Sequence, residues 1–107
     1  MGKASYAESY TMPVAESGDT FSGVQFTLTV NGSAKDLTDA TIEMTVKGAG
    51  TLSIGAGITI VTALSGIFNI DAQVISYTAN TYDYEIKFTF SDGTIKTYIE
   101  GTWTITD

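Results

Sequence analysis

Tyr82-Asp83-Tyr84-Glu85-Ile86-Lys87-Phe88-Thr89-Phe90 alternates without a break, apolar at each even position and polar at each odd one. Side chains on an extended chain point to opposite faces in turn. Tyr82, Tyr84, Ile86, Phe88 and Phe90 therefore line one face of a half-buried strand, and Asp83, Glu85, Lys87 and Thr89 face water. Ser91-Asp92-Gly93 follows, and Asp-Gly favours a type I′ hairpin turn. The return strand is expected to keep phase. Ile95, Ile99, Trp103 and Ile105 then share the apolar face, and Lys96, Tyr98, Glu100 and Thr102 share the other. Gly101 falls mid-strand on the apolar face, where a glycine marks a bulge or the close approach of another backbone.

The same period recurs upstream. Val24, Phe26, Leu28 and Val30 alternate with polar residues, as a strand over 24–30 requires. Asn31-Gly32-Ser33 turns the chain, because Asn and Gly both tolerate positive φ. Residues 41–47 alternate again, with Ile42, Met44 and Val46 inward and Glu43 and Lys47 outward. Short strands are expected at 51–54, 58–61 and 66–70, punctuated by glycines. Residues 71–80 read as an irregular crossover with room for one helical turn on Ala72, Val74, Ile75 and Ala79. Residues 9–15 read as a first strand; Pro13 lacks an amide donor, which confines it to an edge or an arm. Tyr6, Tyr10 and Met12 fall on one parity, the pattern of an arm that adds a strand to a neighbour's open edge. The expectation is an all-β, antiparallel β-sandwich of about seven strands. Residues 9–107 form one domain in this reading, and residues 1–8 a short N-terminal arm.

Composition narrows the chemistry. The chain has 107 residues, 12 acids against 5 lysines, a net charge of −7, and neither His nor Cys. Those absences exclude zinc sites of the usual kind, a thiolate nucleophile, a disulfide and an imidazole base. The shortage of cations argues against nucleic acid, which is bound by neutralising phosphates, and against anionic lipid. No stretch approaches the roughly 20 apolar residues of a membrane-spanning helix. The start, Met1-Gly2-Lys3-Ala4-Ser5-Tyr6, has no apolar run of a signal peptide, so synthesis in the cytoplasm is expected. Only 16% of residues are charged, low for a surface that meets water on all sides, which points either to surface covered by partners or to Thr and Ser filling the exposed positions.

Few groupings could carry chemistry. Asp83 and Glu85 share a face roughly 7 Å apart, a spacing glycosidases use, but they read as a solvated face without a cleft. Asp36-Leu37-Thr38-Asp39 lacks the ligand spacing of a calcium loop and reads as a turn in which Asp36 and Thr38 bond local amides. The glycines at 48, 50, 55, 57 and 66 lack the strand–helix context of a phosphate cradle. Asn31-Gly32-Ser33 fits the glycosylation pattern but reads as a turn. No catalytic, cofactor-binding or metal residues are expected. The candidate contact residues are Tyr6, Tyr10, Met12 and Tyr98, since tyrosine is common at protein interfaces.

Gly18-Asp19-Thr20-Phe21 leads into the strand over 24–30, and Asp36-Leu37-Thr38-Asp39-Ala40-Thr41 into the next. Thr81-Tyr82-Asp83-Tyr84-Glu85-Ile86, the Asp92-Gly93 hairpin and Gly101-Thr102-Trp103-Thr104-Ile105 follow. In this order the motifs resemble the N-terminal immunoglobulin-like domain of phage baseplate upper proteins and related tail and tail-fibre modules. The resemblance spans residues 16–106, with Asp39 standing where the family has glycine. It implies an immunoglobulin-like sandwich and a non-enzymatic component of a bacteriophage virion. The role implied is tail, baseplate or tail-fibre attachment, in several copies and in contact with other phage structural proteins. A capsid decoration protein, a carbohydrate- or cell-surface-binding module and a small hydrolase using Asp83 and Glu85 are the alternatives. Removing residues 1–8 should leave the chain folded and weaken its self-association, read as a lower mass by light scattering at an unchanged melting temperature. A collapse of the melting temperature would instead make the arm part of the core.

Overall fold

A computed structural model describes residues 8–107; Tyr6, and all of the expected arm except Glu8, lie outside the described residues. In chain order the strands are β1 (Glu8–Ser9), β2 (Ala15–Glu16), β3 (Thr20–Phe21), β4 (Val24–Thr27), β5 (Thr29–Val30), β6 (Ser33–Ala34) and β7 (Thr41–Val46). They continue with β8 (Gly50–Ile54), β9 (Gly57–Thr62), β10 (Ile67–Ile70), β11 (Gln73–Val74), β12 (Asn80–Thr89) and β13 (Ile95–Thr106). Seven of these, β4, β7, β8, β9, β10, β12 and β13, run for four residues or more. The others are two-residue contacts made as the chain passes a neighbour.

One curled sheet runs in the order β1-β13-β12-β7-β8-β9-β10-β4, with β2 also on β13. The long pairs are antiparallel, but β1 and β2 lie parallel to β13, and β8 lies parallel to β9. That last pairing is the corner at which the sheet folds over. Ser53 and Ala56 exchange backbone hydrogen bonds, and the Gly55 amide donates to the Ile58 carbonyl. Gly57 takes a φ of 107°, and a Cβ there would sit 2.8 Å from Leu52 Cδ2. The fold-over sets β10 across from β12, where the Phe68 and Phe88 rings meet edge to face at 5.5 Å. Phe21 of β3 likewise meets Trp103 of β13 at 5.0 Å.

The period-two reading places the core correctly along most of the chain. Ile42, Met44, Val46, Tyr82, Tyr84, Ile86, Phe88 and Phe90 are all buried. Val24, Phe26, Leu28 and Val30 keep the inward phase, although the strand breaks at Leu28. There the Leu28 amide turns to the Gly66 carbonyl and its own carbonyl accepts from Lys35. Asn31 and Gly32 take positive φ, 55° and 82°, in the β5–β6 hairpin.

Three expectations are corrected. The Asp92-Gly93 turn is not type I′, because Gly93 but not Asp92 takes positive φ. The loop is three residues long: the Phe90 amide donates to the Thr94 carbonyl, the Gly93 amide to the Phe90 carbonyl, and Asp92 accepts from the Thr94 amide. A type I turn followed by a left-handed glycine is a common hairpin of that length. Secondly, the return strand does not keep one phase. Ile86 faces Ile99 while Lys87 faces Thr97, so Tyr98 is an inserted residue, a β-bulge that reverses the sides before it. Ile95, expected inside, is 60% exposed, and Tyr98, expected on the outer face, turns onto the Phe88 and Phe90 rings. Thirdly, residues 71–80 hold no helical turn. Ile75 is held extended by bonds from its amide to Asp19 and from the Gly18 amide to its carbonyl. The helical turn among the described residues is instead the 3-10 segment Ala63–Ser65, closed by left-handed Gly66.

Trp103 is fully buried between Phe21 and Tyr77. Trp103→Ala should cost about 3–5 kcal/mol in urea unfolding. A loss below about 1 kcal/mol would show that the core closes around the gap, contrary to this packing.

Candidate protein-contact edge

Strand β13 pairs with β12 on one side. Its other side is covered by the incoming chain, residues 8–16, a strap that runs parallel to it. Glu8 and Ser9 stand beside Ile99 and Glu100, and Ala15 and Glu16 beside Ile105 and Thr106. Between them the Tyr10 amide donates to the Glu100 carbonyl and the Met12 amide to the Thr102 carbonyl, both at 2.9 Å. Amides alternate in direction along a strand, so Pro13 falls where an amide would point away from β13 and no ladder bond is lost.

The core holds the strap by its backbone. The Tyr84 hydroxyl donates to the Tyr10 carbonyl at 2.5 Å, and the Trp103 indole N–H to the Pro13 carbonyl at 3.0 Å. Buried Tyr and Trp need partners for their polar ends, and the strap carbonyls supply them. Burial, with Tyr10 adding to it, pushes the Tyr84 hydroxyl well above the usual tyrosine range, so it stays a donor. Gly101 completes the arrangement. A Cβ at this position would collide with the Tyr10 carbonyl, so the glycine is a notch for the strap. Of the two expectations for this glycine, a bulge or a close backbone approach, it is the second.

The three described candidates, Tyr10, Met12 and Tyr98, do not form one patch. Tyr6 lies outside the described residues. Met12 is 1% exposed and belongs to the core, so its side chain offers no contact surface. Tyr98 is half-buried on Phe88 and Phe90. Tyr10 is 37% exposed and meets Phe26 edge to face at 5.1 Å. Tyr10 and Phe26 flank a cleft of about 260 Å³, floored by Leu28 and Ile99, where the strap at one end of the sheet approaches β4 at the other. The sequence reading passed over Phe26 here, and over Tyr84 and Trp103 as donors; the need of a buried phenol and indole for acceptors was the available signal.

The remaining groupings show turn and surface chemistry. Asp36 accepts from the Thr38 hydroxyl and amide at 2.5 and 2.8 Å, bonds that hold its carboxyl below the usual range. Asp92 is lowered in the same way by Thr94. Glu85 stands directly opposite Glu100 on the outer face, with the Lys47 ammonium 3.9 Å from it. Asp83 shares that face, beside a shallow hollow of about 270 Å³ that Glu100 and Lys47 also line. Among the described residues no three acidic groups come together to hold a metal ion. No family model matches this chain, and no curated protein does either.

Tyr84→Phe keeps the ring in the core and removes one bond to the strap. It should cost about 1 kcal/mol and speed hydrogen exchange at the Tyr10 and Met12 amides more than at those of β7. Equal exchange at both places would mean that the hydroxyl does not hold the strap.

Proposed function

We propose that the chain is a non-enzymatic structural component of a bacteriophage virion, attaching tail, baseplate or tail-fibre proteins and present in several copies. The order of motifs from Gly18 to Ile105 supports the phage reading. On this reading the curled sheet is an immunoglobulin-like sandwich; the seven longer strands and the facing Phe68 and Phe88 rings support it. The observation that carries the assembly role is the strap-covered edge of β13, where one segment is recognised through its main chain by Gly101, Tyr84 and Trp103. Strand addition to an open edge is a recurrent way for proteins to bind one another. Surface Thr and Tyr, rather than charge, suit such contacts.

The test is to look for the chain in particles. Phage induced from the strain that carries the gene is purified on a density gradient, analysed by mass spectrometry, and labelled with gold-conjugated antibody to the purified chain. The expected outcome is a constant number of copies per particle, with gold on the tail. Gold on the head would favour a decoration protein. Absence from clean particles, together with binding on a glycan array that Tyr10→Ala abolishes, would replace this reading with that of a carbohydrate-binding module.

A further inference from the structure

We infer that the strap is exchangeable, so that residues 8–16 of one copy seat on the β13 edge of a second copy and hold two chains together. The inference rests on the assembly role proposed above and names the partner: another molecule of this chain.

The groove does not identify whose strap it holds. Its hydrogen bonds go to the strap's main chain: Glu100 and Thr102 carbonyls accept from the Tyr10 and Met12 amides, and Tyr84 and Trp103 donate to the Tyr10 and Pro13 carbonyls. The notch at Gly101 also answers to main chain, the Tyr10 carbonyl. The side chains buried on seating, Met12 and Ala15, are the same in every copy. Exchange would therefore recreate each of these contacts in the same geometry, which is why swapping an identical element is a low-cost route to a dimer.

The attachment of the strap allows the swing. Toward the body it continues through Ser17 and Gly18. The Ser17 amide bond to the Thr106 carbonyl is the last rung of the strap's ladder, but two contacts lie outside it: the Ser17 hydroxyl donates to the Tyr77 carbonyl and the Gly18 amide to the Ile75 carbonyl. The root can stay in place while the strap leaves. The strap's length is taken up in seating, so exchange brings the Thr106 ends of the two β13 strands within the roughly 7 Å that Ser17 and Gly18 span when extended. The side chains of Ser9 and Glu100, neighbours in register, are both exposed, so a cross-link can report where the strap lies.

The protein has no cysteine, which makes the test clean. Two full-length variants are prepared, Ser9→Cys and Glu100→Cys. Neither can close a disulfide within itself, and adjacent strands lie within disulfide reach. The two are mixed at high concentration in a glutathione redox buffer and run on a non-reducing gel, with the linkage located by peptide mass spectrometry. Exchange predicts a heterodimer joined between positions 9 and 100 that exceeds both homodimers. It also predicts loss of that heterodimer when the acceptor carries Gly101→Val, in which the notch is filled. The double variant, Ser9→Cys with Glu100→Cys, confirms that the pair can close: it should form a disulfide within one chain when dilute. If the double variant closes and the mixture gives no heterodimer above the homodimers, the strap stays with its own body and the inference falls. Light scattering on the unmodified chain separates the two readings. A defined oligomer without the heterodimer overturns exchange and leaves the assembly role standing; a monomer without it counts against both.

Discussion

The two hydrogen bonds that Tyr84 and Trp103 send out of the core fix much of the rest. A buried phenol or indole without an acceptor would carry an uncompensated desolvation cost. Neither finds its acceptor on its own strand or its hairpin partner. Both find it on strap carbonyls, those of Tyr10 and Pro13. The strap thus supplies polar closure of a core that the β12–β13 hairpin cannot close by itself. Gly101 follows from the same requirement: the strap must come close enough for those bonds, and any side chain at that position would hold it off.

The other end of the sheet has a different solution. The β8–β9 corner reverses the sheet within a few residues, and it depends on Gly55 and Gly57, both at positive φ. Folding at that corner lets Phe26, Phe68 and Phe88 form a ring-to-ring series from β4 across to β12. At the end of that series Tyr10 meets Phe26, so the strap and β4, the two ends of the strand order, close the curl through side chains rather than hydrogen bonds. The cleft between them is the place where the backbone ladder is incomplete.

How far the sequence could be read follows from what each feature depends on. Strand position and facing depend on local alternation, and these were legible for β7, β12 and the far half of β13. The bulge at Tyr98 was not. Lys96-Thr97-Tyr98-Ile99 reads polar-polar-apolar-apolar and so breaks the alternation, but only the register against β12 shows that Tyr98 is the inserted residue. The hairpin at Asp92-Gly93 was legible as a turn but not in its type, because Asp-Gly serves both the two-residue and the three-residue loop. Met12 was read as a contact residue for its parity with Tyr6 and Tyr10, yet it is buried, and that burial depends on the groove that β13 offers, a long-range fact. Gly101 was the most informative single residue: a glycine on the apolar face of a strong strand announces a bulge or an approaching backbone, and only the fold shows that it is the strap's.

A strap recognised through its main chain gives stability without marking ownership. Whether it seats on its own body or on a neighbour is then a matter of local concentration rather than of contact quality. The tether through Ser17 and Gly18 makes the effective concentration for self-seating high. In an assembly of the kind proposed above, crowding of copies would raise the competing concentration until the two become comparable. Self-seating keeps the hydrogen-bonding edge of β13 covered, which protects an isolated chain from indiscriminate edge pairing. The same groups that make the lone molecule safe in solution are those that would join it to its neighbour once copies are held side by side.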